Sequence, residues 1–285
     1  MSALSDVQRI EFETMVKHAY QGAGSMLENT VRVKNAVRAG EYRFRKFGEL
    51  NMVPRGQSKS MLEGQEPNHS TVTVTASDYV LPVLTDIFDQ AKTDAPDEQA
   101  EAAQAIAMAM KRQRDYSVIS ALDSATIASG NTITCGSGLT VAKLREGMIQ
   151  FDKYEIRQND PLGDGTIYML ITEVQHDELL ADAATQSIDT SDFKSLVNGK
   201  VGDFMGYKFI LIGSGRGSLG LPEESSGVRA CWAYTKSAIG QAVSIEPRVE
   251  SSYENLYTSH LVNGILSLGT GVIDNLGVVQ FNCTE

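Results

Sequence analysis

The chain has 285 residues, of which 42% are hydrophobic and 21% charged, and its formal net charge is −11. That length supports one large domain or two small ones with a substantial core, and the composition is that of a globular protein. No apolar run reaches membrane-spanning length and the N-terminus lacks a secretory-signal pattern. Three well-separated cysteines, Cys135, Cys231 and Cys283, show no zinc-ligand spacing and predict folding in a reducing cytosol.

The charge is unevenly spread. Val31 to Lys59 carries eight Lys or Arg against two Glu, whereas residues 60–285 carry fifteen against thirty Asp or Glu. A basic segment on an acidic body suits attachment of one copy to another's acidic surface. Nucleic-acid contact is the competing reading of the basic stretch, but the acidity of the whole chain argues against sequence-specific DNA binding.

In chain order, residues 1–40 read as an arm: a weakly amphipathic helix from Val7 to Tyr20, a glycine joint, then MLENTVRVKNAVRAG with alternating apolar and basic residues. Residues 41–85 read as a long β-hairpin. EYRFRKF and TVTVT both alternate with period two, and the polar stretch between them is too rich in Gly, Pro, Ser and charge to fill a core. An isolated hairpin is marginal in water, so this one is either a lid over an active site or a clamp on another subunit. Residues 86–125 contain one long helix, Asp97 to Leu122, with Asp94 as its N-cap and Pro96 in the first turn. Its alanine-rich first half, Ala100 to Ala109, permits close approach of the C-terminal strands. Arg112, Arg114 and Asp115 are expected to face polar surroundings, either a neighbouring subunit or the interior of a particle.

Residues 126–245 read as a mixed α/β unit. It has a helix with Val141, Leu144, Met148 and Phe151 on one side, the buried strand TIYMLIT, a helix near Gln175 to Ala184, the strand YKFILIG, a mobile polar loop GSGRGSLGLPEESSG, and a strand followed by a short helix or turn in VRACWAYTKSAIGQAVS. Residues 246–285 read as strands joined by turns. Arg248, Glu250 and Tyr253 beside apolar neighbours suggest a sheet with one wet face.

No catalytic, cofactor or metal constellation emerges. Gly213, Gly215 and Gly217 follow a strand, but the helix that a dinucleotide loop requires is missing. His176, Asp177 and Glu178 are adjacent and so point in different directions, which favours a polar helix start over a metal site. Ser191 to Lys194 matches a bare Ser-x-x-Lys pattern without its companion motifs. His18, His69, His176 and His260 are scattered, and the lone Trp232 reads as core. The lid hypothesis therefore lacks catalytic partners, and intersubunit packing accounts better for the hairpin. The expected contact residues are Arg32, Lys34, Arg38, Arg43, Arg45, Lys46, Arg55 and Lys59 in the arm and hairpin, with Arg112 and Arg114 on the long helix.

This order of parts resembles the major capsid proteins of tailed double-stranded DNA bacteriophages. It comprises an arm, the extended loop from EYRFRKF through TVTVT, a spine helix ending in MAMKRQRDYSVISALD, an α/β section and a closing strand segment, RVESSYENLYTSHLVNGILSLGTGVIDNLGVVQF. The opening FETMVKHAYQGAGSMLENTVRVKNAVRAGEYRFRKFGEL is similar to one subgroup of them. The resemblance implies an α+β, HK97-type fold with an N-terminal arm (1–40), extended loop (41–85), peripheral domain (86–125 and 246–285) and axial domain (126–245). It implies a non-enzymatic subunit that self-assembles into pentamers and hexamers of an icosahedral shell around double-stranded DNA. The extended loop would lie over a neighbouring copy. Only about forty residues precede that loop, so a separate scaffolding protein is expected, together with a portal. The expected location is the virion capsid, assembled in the host bacterial cytoplasm, with no membrane contact. A shell protein of an encapsulin-type nanocompartment is the alternative, and a lidded hydrolase a distant one.

Overall fold

The computed structural model describes residues 25–37, 40–48, 50, 52, 54, 64, 66–88, 98–158, 160, 165–182, 203–225 and 227–285. The expected helix Val7 to Tyr20, the cap at Asp94, most of the hairpin tip and Ser191 to Lys194 lie outside them. The chain divides into two compact units, one of Met1–Ser25, Asp78–Gln113 and Ile245–Ser267, the other of Met26–Ser77, Arg114–Ser244 and Leu268–Glu285. The long helix α1 (Glu98–Asp123) and the strands β11 (Ile239–Glu254) and β12 (Ser259–Val272) contribute residues to both.

In the first unit, β11, β12 and β4 (Ser77–Asp86) lie side by side in that order. Residues 98–113 of α1 pack against this sheet through Ile106 and Met110, both buried. Gly264 of β12 makes the contact close, since a Cβ there would overlap Ile106 Cγ2 and sit 3.5 Å from Met110 Sδ. The alanines are thus secondary: the bulk that fills the contact is Ile and Met, and the small residue that admits it is on the strand. The expectation of one wet face on the closing strands is corrected here. Glu246 to Tyr253 of β11 are exposed on both faces, because alternate residues point to opposite sides of a strand and this stretch has neither side covered.

The second unit holds a seven-stranded sheet ordered β5-β13-β10-β6-β8-β7, with β9 also on β10. The strands are β5 (Thr132–Cys135), β6 (Ile167–Ile171), β7 (Asp203–Phe204), β8 (Tyr207–Leu211), β9 (Glu223–Ser225), β10 (Val228–Thr235) and β13 (Val278–Thr284). β10 pairs antiparallel with β13 from Val228↔Thr284 to Tyr234↔Val278, and β6 pairs in parallel with β8. Buried on both faces, the central strands read as continuous apolar runs such as IYMLI and ACWAY. Trp232, Tyr207, Tyr234, Phe151 and Phe281 are the largest fully buried side chains of this core.

Helix α2 (Val141–Lys153) buries Val141, Leu144, Gly147 and Phe151 at helical spacing. A Cβ on Gly147 would collide with the Phe281 ring and lie 2.8 Å from the Tyr207 hydroxyl. Helix α3 (Glu173–Ala181) opens on a capping box in which Thr172 N–H donates to Gln175 Oε1 at 3.1 Å.

The hairpin is shorter than the sequence reading drew it. β2 (Glu41–Phe47) and β3 (His69–Thr75) pair antiparallel from Glu41↔Thr75 to Phe47↔His69 as a separate two-stranded sheet. After Ala76 the ten residues of β4 follow, whose Val80, Leu81, Val83 and Leu84 suit a sheet rather than a polar loop.

Candidate assembly surfaces

The root of the hairpin is anchored within the second unit. Phe44 and Val74, both buried, cluster with Val37, Ala242 and Ile273, and Phe44 stacks edge-on against Tyr42 at 4.8 Å. Gly240 and Gly271 leave the room: Cβ atoms there would come within 2.7 Å of the Phe44 ring and 2.8 Å of Val74 Cγ2. Because side chains alternate, anchoring Tyr42, Phe44 and Lys46 turns Arg43, Arg45 and Phe47 to the opposite face, beside their cross-strand partners Thr73, Thr71 and His69. Arg43 and Arg45 are exposed and have no ion-pair partner among the described residues. Phe47 is 61% exposed and stacks edge-on against His69 at 4.8 Å. That face carries Glu41, Arg43 and Arg45 beside threonines, a net positive strip ending in an aromatic pair.

The other expected contact residues have different surroundings. Arg32 and Lys34 are exposed on β1 (Arg32–Lys34), which pairs in parallel with β11 at Gly240 to Ala242. Arg32 also lies over the Phe44 ring at 5.6 Å. Lys46 pairs with Asp274 at 2.7 Å. Arg114 is largely buried and held inside its own chain, with Nη1 2.5 Å from Glu28 Oε1 and Nε donating to Gln241 Oε1 at 2.8 Å. Arg112 is half-buried. Arg38, Arg55 and Lys59 lie outside the described residues.

The expectation for Asp115 is overturned. It is 0% exposed and faces its own chain, accepting from Met26 N–H at 3.1 Å and Leu27 N–H at 3.2 Å and pairing with Arg216 at 3.5 Å. The polar loop, described over residues 213–225 and at Gly227, is likewise held by its own chain. It contains the 3₁₀ stretch Ser214–Leu219, it is pinned by Arg216 at Asp115, and Glu173 accepts from Ser214 N–H at 3.0 Å. The Ser214 hydroxyl on Glu173 holds that carboxyl below the usual glutamate range.

Several acidic side chains hold the backbone of distant segments, contacts that the sequence did not indicate. Glu178 accepts from Leu139 N–H at 2.7 Å and Asp182 from Val141 N–H at 2.9 Å, so α3 caps the start of α2, where Thr140 makes no side-chain cap. At the C-terminus, Glu285 pairs with Arg229 at 2.7 Å and accepts from Gln175 and Thr172; the Arg229 bond, ahead of the others, holds its carboxyl below the usual range. The cysteines, distant in sequence, come together on β5, β10 and β13, with Cys283 in register with Cys135. All three are buried and free; the hydrogen bond to Cys283, then burial, push the Cys135 thiol up, as a core thiol rather than a reactive one.

The described residues line at least two concavities. A groove of about 380 Å³ in the first unit lies between α1 and β4, lined by Tyr79, Leu81, Ala109, Met110 and Leu266 among others. A polar pocket of about 320 Å³ in the second unit is lined by Tyr116, Asp123, Glu223 and Arg229 among others. No group of three His, Cys, Asp or Glu side chains suited to a metal ion occurs among the described residues. His69 and His260 each stack on an aromatic ring. The outer surface also carries exposed apolar residues, notably Leu256 (87%) and Tyr257 (62%) at the turn between β11 and β12.

A family model described as phage capsid protein matches residues 5–285. No curated protein matches the chain. Among solved structures, the chain is similar to the capsid of the cyanophage P-SCSP1u, at 15% identity and a TM-score of 0.77 over 97% of this chain and 93% of that one. It is similar to the head structure of Helicobacter pylori bacteriophage KHP40, at 14% identity and a TM-score of 0.76 over 96% and 95%. It is also similar to Mycobacterium phage Che8, at 14% identity and a TM-score of 0.68 over 98% of both chains. At these identities the likeness is one of fold.

Proposed function

Since the chain belongs to the phage capsid protein family and has the α+β, HK97-type fold, it is a structural subunit of a phage shell, and we propose that it builds pentamers and hexamers of an icosahedral capsid. The observation that carries this reading beyond the family is the hairpin β2–β3. It is anchored on one face only; on the other, Arg43 and Arg45 have no ion-pair partner among the described residues, and Phe47, stacked on His69, is 61% exposed. A neighbouring copy with an acidic surface is the complement such a face requires.

In this reading the hairpin lies over the adjacent subunit, and Arg32 and Lys34 on β1, together with Arg38, Arg55 and Lys59 from outside the described residues, are further candidate contacts with that neighbour. Arg114 and Lys46 are engaged within their own chain and serve the fold first; Arg112 contributes from α1. The work is assembly rather than catalysis. The wider partners are a separate scaffolding protein, a portal and packaged double-stranded DNA held without sequence preference. Shells form in the host bacterial cytoplasm before they become virions.

Electron micrographs of the purified protein test the reading directly, with closed shells as the expected result. Individual exposed ion pairs contribute only about 0.2–1 kcal/mol, but a shell repeats them at every interface. Reversing Arg43 and Arg45 to Glu should therefore lower shell yield far more than reversing Lys194 and Lys200, which the sequence assigns to exposed loops of the axial section, and raised salt should have the same direction of effect. Equal yields from the two double variants would remove the hairpin face from the interface.

A further inference from the structure

The root of the N-terminal segment is held by an arrangement that shell assembly does not by itself call for. Asp115, wholly buried in α1, receives Met26 N–H on both carboxylate oxygens, at 3.1 and 3.2 Å, and Leu27 N–H on Oδ1 at 3.2 Å. Arg216 balances its charge from the loop after β8. The preceding residue of the helix, Arg114, grips Glu28. One residue further along the segment, a 3₁₀ turn begins, and Thr30 closes it by hydrogen bonds to Leu27 O and the Tyr234 hydroxyl, each 2.7 Å. Leu27 and Val31 then enter the main core, and β1 pairs with β11.

Burying Leu27 and Val31 favours attachment but is non-directional, so it does not by itself select one register of a short segment. A buried carboxylate is a poor source of stability, because desolvation offsets most of what its ion pair contributes. What it supplies is direction: two adjacent N–H groups must converge on one fixed point. The geometry points to Asp115 as the positioning residue that fixes the backbone at Met26 and Leu27, and with it the course of residues 26–34 within the second unit, with Arg216 as the counter-charge that lets a carboxylate occupy that site. In consequence β1 meets β11 in the register Arg32↔Gly240. The device joins three parts of the second unit distant in sequence: the segment root, the helix and the loop at residues 213–220.

The test is hydrogen exchange followed by mass spectrometry on the full-length unassembled subunit. It compares the peptide covering residues 25–34 with peptides of β10 and β13. Asp115→Leu/Arg216→Gln fills the site without an acceptor or a stranded charge. It should speed exchange at 25–34 by roughly ten- to a hundredfold, the range for losing charge-assisted hydrogen bonds, and open Arg32 and Lys34 to trypsin, with β10 and β13 unchanged. Asp115→Asn/Arg216→Gln keeps an amide oxygen for the two N–H groups and should retain parental protection, whereas Asp115→Asn alone strands Arg216 and should not. Parental protection in the leucine pair would overturn the proposal, since packing alone would then hold the root. If the leucine pair fails to fold, Asp115→Ala/Arg216→Gln, which also lacks the acceptor, is compared with the Asn/Gln pair: faster exchange at 25–34 in the alanine pair alone supports the positioning role, and equal protection in the two refutes it.

Discussion

Gly264→Ala isolates the contact on which the first unit is built. Gly264 is buried on β12, and an added Cβ would overlap Ile106 Cγ2, itself only 1% exposed. Two effects of opposite sign compete. Replacing Gly by Ala at a backbone conformation open to L-residues stabilises by about 0.4–1 kcal/mol through the unfolded chain, whereas overpacking a tight core site destabilises by about 1–3 kcal/mol. Ile106 is fully enclosed and cannot swing away, so overpacking should win, leaving a net loss of up to about 2.6 kcal/mol. Ile106→Ala alone should destabilise by about 2–5 kcal/mol because it leaves a cavity. In that background the offending methyl is gone and Gly264→Ala should become neutral or stabilising. Urea unfolding of the unassembled subunit for the parent, both single variants and the double measures the coupling. If Gly264→Ala had the same sign and size in both backgrounds, the helix would not rest on the strand at this point.

Phe44→Ala should cost about 3–5 kcal/mol locally; because its cluster is small, hydrogen exchange should show β2 and β3 losing protection while β10 keeps it. Ala109→Leu should change the melting temperature little, within the roughly ±0.5 kcal/mol of a surface change, because the side chain can extend into the adjoining groove of about 380 Å³. The Glu285 carboxyl is held below its ordinary value of 4.5, chiefly by Arg229. Its contribution is therefore complete above that value and is lost as pH falls through the lowered one. Glu285→Gln should be less stable than the parent at neutral pH, and acid titration of the melting temperature should show the gap closing below about pH 4.

The sequence by itself determined the local elements. Period-two alternation in EYRFRKF dictates a strand, and a glycine- and proline-free stretch rich in alanine dictates α1 at Glu98–Asp123. These patterns are legible because they depend on residues within a few positions of one another. The imbalance of charge likewise exposed a basic segment before any contact was known.

Partner identity was not legible, since it depends on which distant residues the sheets bring together. On a helix, Arg114 and Asp115 read alike as polar, yet Asp115 is enclosed beneath Met26 and Leu27 and Arg114 lies between Glu28 and Gln241. Lys46 and Asp274 meet only because β2 is laid beside the turn before β13. The parting of β4 from the hairpin was decided by β12, which offers the apolar strand a neighbour in a larger sheet. Even the choice of the close-packing residue passed from the alanines of α1 to Gly264, because contact distance is set jointly by two surfaces and the helix sequence describes only one of them.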